Sequence, residues 1–442
     1  MATRSMPKLA AVEQPSYQWA AFALGFFLQF NLVPTAWHIP ITRFTQLLML
    51  PCIAFLVHRL ASRPNPLPTL LYCAGMLLLV VLHLAFSGTP LAFGGGNIDL
   101  AASVGYALYL LGGVGLYIML AQRSGTSWFC WGILIGGLFS LLVFVMEANG
   151  LTGLAKAIGL TQPTQSLQKI GSDDGFTRLT GMWGHANEVG HVLAIAAPAA
   201  GYLYVSRRER MPLVLLGLIT MACFFFTANR GGVIAVIVTG LAMLVARKER
   251  VDIKRKSFLF TMLGVVGVCY ALYFLPSPDF IYARFAGDSG AINSNASGRL
   301  VTTRLGIDIA LHHPFGMGVT DWRAALERGS GFQTPHNGFI SMTNGMGIPF
   351  LLMCVWALIA VTLAGLRQPR KLSLDIFLML AAVQMAVSFM FEELSYVDSF
   401  MMISALIMAR VYSGAVNLVG RGRGRGAVPM RRKPDAQAQP AL

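Results

Sequence analysis

Three side chains of this 442-residue chain have the types and settings for transfer chemistry on a charged group: Arg230, Arg299 and His336. Arg230 lies in Thr227-Ala228-Asn229-Arg230-Gly231-Gly232, a tight turn between two apolar stretches. The turn predicts a helix starting at Arg230, where unpaired N–H groups and the dipole favour an anion. A planar guanidinium suits a phosphate, and the two glycines let a bulky group approach the backbone. Arg299 opens Gly298-Arg299-Leu300, and the apolar residues Val301, Leu305 and Ile309 then recur every four positions. That spacing predicts an amphipathic helix lying on the rest of the protein. On it Arg304 and Asp308 are four apart and read as a surface ion pair. Arg299, about 140° round the helix from Arg304, is left for a ligand. His336 follows Pro335, whose ring stiffens the turn, and positive charge nearby favours a neutral, proton-accepting imidazole. Its competitors as a base are His312, His313, Asp279, Asp288, Asp321, Glu392, Glu393 and Asp398. Arginines that hold a diphosphate and a base that takes a proton from a hydroxyl point to transfer chemistry on a phosphate-linked lipid.

Each of these residues has a bland counterpart: an arginine snorkelling to headgroups, or a histidine serving a turn. What separates the readings is the frame that positions them. The chain is 55% hydrophobic and 12% charged, with mean hydropathy +0.62. Apolar stretches fall at 17–33, 41–57, 68–86, 100–121, 128–146, 189–205, 211–228, 231–246, 257–275, 338–363, 372–391 and 395–418. Many approach the roughly 20 residues that cross a bilayer as a helix. None alternates as a barrel strand does. The expected fold is therefore an all-α polytopic membrane protein with about 12 transmembrane helices. Residues 1–275 hold spans 1–9, with an outer loop at 147–188, and 336–418 hold spans 10–12. Between them, 276–335 forms a long polar loop, expected to contain short helices and to be functional because of its length. Residues 419–442, which include Gly420-Arg-Gly-Arg-Gly-Arg-Gly426, read as a disordered basic tail.

Placing the N-terminus inside, with one crossing per span, puts most of the 34 Lys and Arg on the inner side. Arg207, Arg208, Arg210, the run Arg247–Lys256 and the basic tail all fall there. Both termini are then cytoplasmic, and the long loop lies outside with Arg178, Arg230, Arg284, Arg299, Arg304, Arg323 and Arg328. The Arg-Gly tail fits contact with anionic membrane lipid, and no nucleic-acid partner is expected. No cleavable signal peptide is evident. The six cysteines are scattered through apolar stretches without metal spacing, so no metal site and no cofactor are expected. A transporter or flippase for an anionic lipid-linked solute would use the same arginines, but it should carry charge deep inside its spans.

At these residues the sequence resembles the O-antigen ligase/polymerase family of membrane glycosyltransferases. Thr227-Ala228-Asn229-Arg230-Gly231 is similar to its T-x-S-R-G turn, with Asn in place of Ser. Gly298-Arg299 followed by His313-Pro314-Phe315-Gly316-Met317-Gly318 resembles a second motif, and Thr334-Pro335-His336-Asn337 resembles its histidine motif. Gly181–Glu188 resembles an upstream segment, so the likeness covers about 175–365. The resemblance implies a GT-C-like fold and an inverting, metal-independent transfer at the periplasmic face of a Gram-negative inner membrane. The donor would be O-antigen on undecaprenyl diphosphate. In the ligase reading the acceptor is a hydroxyl of lipid A-core; a polymerase of the same family is the alternative. Carried onto this sequence, His336 activates the hydroxyl, and Arg230 and Arg299 bind the diphosphate. Arg178, Arg304 and Asn337 are secondary contacts to substrate.

Overall fold

The computed structural model describes residues 15–29, 44–62, 66–87, 96–122, 124–149, 151, 168–169, 177–178, 186–227, 229–247, 289–318, 321–330, 335–367, 373–394 and 397–414. The expected span 257–275, the tail 419–442 and most of the outer loop 147–188 lie outside them. Helices dominate. The first five are α1 (Pro15–Phe27), α2 (Phe44–Ala61), α3 (Leu67–Ser87), α4 (Gly96–Leu120) and α5 (Gly125–Ala148). A two-residue antiparallel ladder, β1 (Gln168–Lys169) with β2 (Thr177–Arg178), adds a little strand where none was expected. Then come α6 (Ala186–Leu193), α7 (Ala196–Arg207), α8 (Met211–Thr227) and α9 (Arg230–Arg247). The last six are α10 (Ser289–His312), α11 (Asp321–Ser330), α12 (Gly338–Met346), α13 (Ile348–Arg367), α14 (Ser373–Phe391) and α15 (Asp398–Tyr412).

Among the described residues, four helical stretches are long and apolar enough to cross a membrane: Gly125–Ala148, Asn187–Arg207, Ile348–Leu366 and Leu374–Phe391. Six shorter apolar helices accompany them, as in a membrane protein. Their surroundings differ. Within the bundle, 89% of the most apolar part of Asn187–Arg207 is buried and 72% of that of Leu374–Phe391, against 17% for Ile348–Leu366. The stretch formed by α6 and α7, together with α14, is thus the interior of the bundle, and α13 is perimeter. Small residues bring helices close, as they must where hydrophobic burial does not separate protein from lipid. A side chain at Gly132 would strike the Phe22 carbonyl of α1, and one at Gly115 the Cys52 carbonyl of α2.

Two expectations change. The apolar stretch 338–363 is not one helix: it breaks at Gly347, whose φ is +88°. The segment after α10 makes the break. Met317 N–H donates to the Asn344 carbonyl at 2.8 Å, Gly318 N–H to that of Gly345 at 3.2 Å, and Ile348 N–H to that of Pro314 at 2.7 Å. A Cβ on Gly347 would lie 2.6 Å from the Phe315 carbonyl carbon. The Pro-Phe-Gly-Met-Gly motif is therefore a clasp of main chain on main chain. The second change concerns the polar stretch 276–335, whose described part is mostly helix. α10 is 24 residues long, and α11 packs on it through Leu305, Ile309, Trp322 and Leu326. Its face toward α12 carries Thr302 and Gly306, not Val301, which is 52% exposed. The reason is close approach: Ile340 of α12 fills the space a side chain at Gly306 would need.

Candidate functional site

The site assembles around the end of α14. Gln384 and Ser388 of that helix and Glu392 just past its last residue stand at steps of four, so one buried side presents three polar groups. Buried polar residues in such a helix mark functional positions by default. His336 Nδ1 lies 3.1 Å from Glu392 Oε1. Its backbone has φ +48°, a left-handed conformation uncommon outside glycine, though less so for His. Strain of that kind persists where the surroundings fix it and clusters at functional sites. Pro335 before it is buried, and Asn337 after it caps α12, accepting from Phe339 N–H at 3.0 Å and Ile340 N–H at 3.2 Å. The carboxylate is the partner of the imidazole, where the sequence argument had considered only arginines. Held by Glu392, Nδ1 is the donor and Nε2 is left to accept a proton.

Burial would raise the Glu392 carboxyl, but the His336 hydrogen bond and the charges of His336, His191 and Arg299 outweigh it and hold the group below its usual range. Glu392 is thus ionised at neutral pH, and Arg299 lies close enough to act on it. Arg299 itself is exposed at the described start of the α10 surface, as is Arg304. Asp308 pairs with His312 at 3.5 Å, where the sequence had paired it with Arg304.

Arg230 opens α9, as its sequence predicts. Asn229 is the N-cap, its side-chain oxygen accepting from Gly232 N–H at 2.8 Å while its amide donates to the Asn187 carbonyl of α6. Asn and Ser cap helices about equally well, so the departure from the resembled motif keeps the turn. A Cβ on Gly231 would lie 2.7 Å from His191 Nε2. His191, in turn, meets Ser388 Oγ through Nδ1 at 3.0 Å, and Gln384 donates to both the His191 carbonyl (3.2 Å) and Ser388 Oγ (3.0 Å). The imidazole of His191 is therefore wedged between the arginine turn and the face of α14 that leads to Glu392. This residue was missed by the sequence reading; the four-residue spacing of polar groups in α14 was the available signal. Arg178 has its main chain in the β1–β2 ladder.

Beside Glu392, Glu393 faces the other way and pairs with Arg323 of α11 at 2.8 Å. Burial pushes the Glu393 carboxyl up to about 7, against the opposing pull of Arg323. Among the described residues no group of three or more His, Cys, Asp or Glu could hold a metal ion.

The structure thus brings His336, Glu392 and the influence of Arg299 together, and joins the Arg230 turn to the same face of α14 through His191. Residues 213–355, from α8 into α13, match the family model described as O-antigen ligase. No curated protein is significantly similar to the chain. The matched segment holds Arg230, Arg299, Arg304, His336 and Asn337, the turn, the clasp and the strained histidine. Residues 213–355 are thus similar to the O-antigen ligase family, and the candidate site lies within and next to that segment.

Proposed function

We propose that the protein transfers O-antigen from undecaprenyl diphosphate to a hydroxyl of lipid A-core at the periplasmic face of the inner membrane. The observation that carries this reading is the His336–Glu392 pair at 3.1 Å beside Arg299, within and next to the family segment. His336 Nε2 takes the proton of the acceptor hydroxyl as its oxygen attacks the anomeric carbon of the donor sugar. The bond from that carbon to the phosphate oxygen breaks, and its electron pair leaves on undecaprenyl diphosphate. Arg230 at the helix start and Arg299 offset the charge that develops on the diphosphate. Attack from the face opposite the leaving group inverts the anomeric centre. Glu392 does not touch substrate; it fixes the imidazole tautomer and stabilises the imidazolium that forms, as a carboxylate does for a catalytic histidine elsewhere. Arg178, Arg304 and Asn337 are secondary contacts in this reading, with Asn337 acting first as the cap that sets the start of α12.

The test is a lipopolysaccharide gel from a strain lacking this gene, complemented with the wild type or His336→Ala, with undecaprenyl-linked glycan extracted in parallel. Loss of the ladder, with long glycan accumulating on undecaprenyl diphosphate, supports ligation. A single repeat on lipid A-core would instead mean polymerisation, and an unchanged ladder would reject both.

A further inference from the structure

A narrow cleft, partly open to solvent, lies between α4, α11, α12, α13 and α15, on the Glu393 flank of the site. Its walls are apolar: Tyr106 and Tyr109 from α4, Phe350 and Cys354 from α13, Met401 and Met408 from α15. The Tyr109 hydroxyl is turned away to Thr45 at 2.7 Å, so its ring is what the cleft receives. On α15 the lining residues Met401, Ser404, Ala405 and Met408 form one stripe, which rises about 10 Å at 1.5 Å per residue. Phe350 and Cys354 sit in the first two turns of α13, at the end that joins the clasp. The cleft therefore runs alongside apolar helices from the level of the site into the bundle, as a lipid chain would. Arg323 and Glu393 are its charged lining residues. Glu393 is 1% exposed, and its Oε2 has no hydrogen-bond partner among the described residues. A buried polar atom left unpaired is costly unless a ligand or water meets it.

We infer that this cleft seats one acyl chain of the membrane-anchored acceptor, with a polar or phosphorylated headgroup held at Arg323 and Glu393. The inference rests on the transfer reading above. There the donor diphosphate belongs on the Glu392 flank with Arg230 and Arg299, so the opposite flank of the same two glutamates is left for the second lipid. Arg323 and a carboxyl that is half protonated near neutral pH present donors to phosphate or hydroxyl oxygens. The apolar walls exclude water from the chain below.

The experiment uses the purified full-length protein with a lipid A-core acceptor that carries a diazirine on one acyl chain, and undecaprenyl diphosphate-linked glycan as donor. Photolysis should place label on α4, α13 or α15, and Ser404→Phe should abolish that label. The same variant should raise the acceptor KM by roughly 15- to 50-fold, since a blocked slot loses burial of about two or three methylenes, with the donor KM unchanged. A rise in donor KM alone would give the cleft to the donor chain and overturn the inference, as would label confined to other helices. Because labelling needs no turnover, it separates the two claims. Label in the cleft of a protein that transfers nothing would sink the transfer reading and keep the seat; turnover without label there would do the reverse. Should Ser404→Phe fail to fold, Met408→Ala, which lengthens the slot, should shift preference toward longer acyl chains; no shift would count against the seat.

Discussion

Replacing Glu392 with Gln isolates what the carboxylate does for His336. The contact is 3.1 Å long, and Glu392 is 8% exposed, so water screens it little. A hydrogen bond to a charged group contributes about 1.5–3 kcal/mol, which at about 1.4 kcal/mol per factor of ten is roughly 10- to 150-fold in rate. Gln keeps the shape and one acceptor oxygen but can also turn its amide toward Nδ1, which would favour the wrong tautomer. Glu392→Gln should therefore lower kcat by about 10- to 150-fold with little change in donor KM, because the ring is held for the transition state and not for binding. Glu392→Ala should fall further, since nothing then holds Nδ1. The assay is transfer of glycan from undecaprenyl diphosphate to lipid A-core by purified protein, with size-exclusion profile and melting temperature as controls for folding. A Glu392→Gln variant that folds and works at the wild-type rate would refute the positioning argument. A variant whose loss lies wholly in donor KM would move Glu392 from the base to the binding site.

His336→Ala and His336→Gly both lose the contact with Glu392 and should abolish transfer, but glycine is spared the left-handed cost at φ +48°, about 1 kcal/mol; His336→Gly should therefore melt above His336→Ala, and an equal or lower melting temperature would deny that the position is strained. Gly347→Ala should keep the protein from accumulating in membranes, because its φ is +88° and the new methyl meets main chain at 2.6 Å; normal accumulation would mean that the clasp gives way easily. Gly231→Ala should strongly impair activity by driving a methyl onto His191, and adding His191→Asn, which can still reach Ser388 but vacates the space, should restore much of it; no recovery in the double variant would argue against His191 as the spacer. The Glu393 carboxyl has a folded pKa of about 7, above the unfolded value of 4.5, so the proton is held more tightly in the folded protein. Its stabilising contribution is complete below about 4.5 and lost as pH rises through about 7, so melting temperature should fall across that window, and Glu393→Gln should flatten the slope.

Local features were legible from sequence. Arg230 was placed at a helix start because the turn between two apolar stretches is too short to be a loop, and the helix begins there. The apolar runs located most helices because their period and length are properties of the chain alone. What was not legible depends on contacts between distant segments. The break at Gly347 lies inside an unbroken apolar run, and only the main chain of 314–318 reveals it. On α10, Leu305 and Ile309 of the expected stripe pack on α11 while Val301 is exposed, and the approach to α12 was not legible because Gly306 offers no hydrophobic signal. Glu392 was one base candidate among several; its contact with His336 spans 56 residues of sequence, which no local pattern encodes. His191 was passed over because a single histidine in an apolar helix means little until Ser388 and Gly231 are seen on either side of it.

The most direct test of the central claim is a reconstitution with three components: purified protein, O-antigen on undecaprenyl diphosphate, and lipid A-core. The account predicts glycan appearing on lipid A-core, with an equal amount of undecaprenyl diphosphate released, and neither product with His336→Ala. Glycan that lengthens on undecaprenyl diphosphate while lipid A-core stays bare, or transfer that survives His336→Ala, would contradict it.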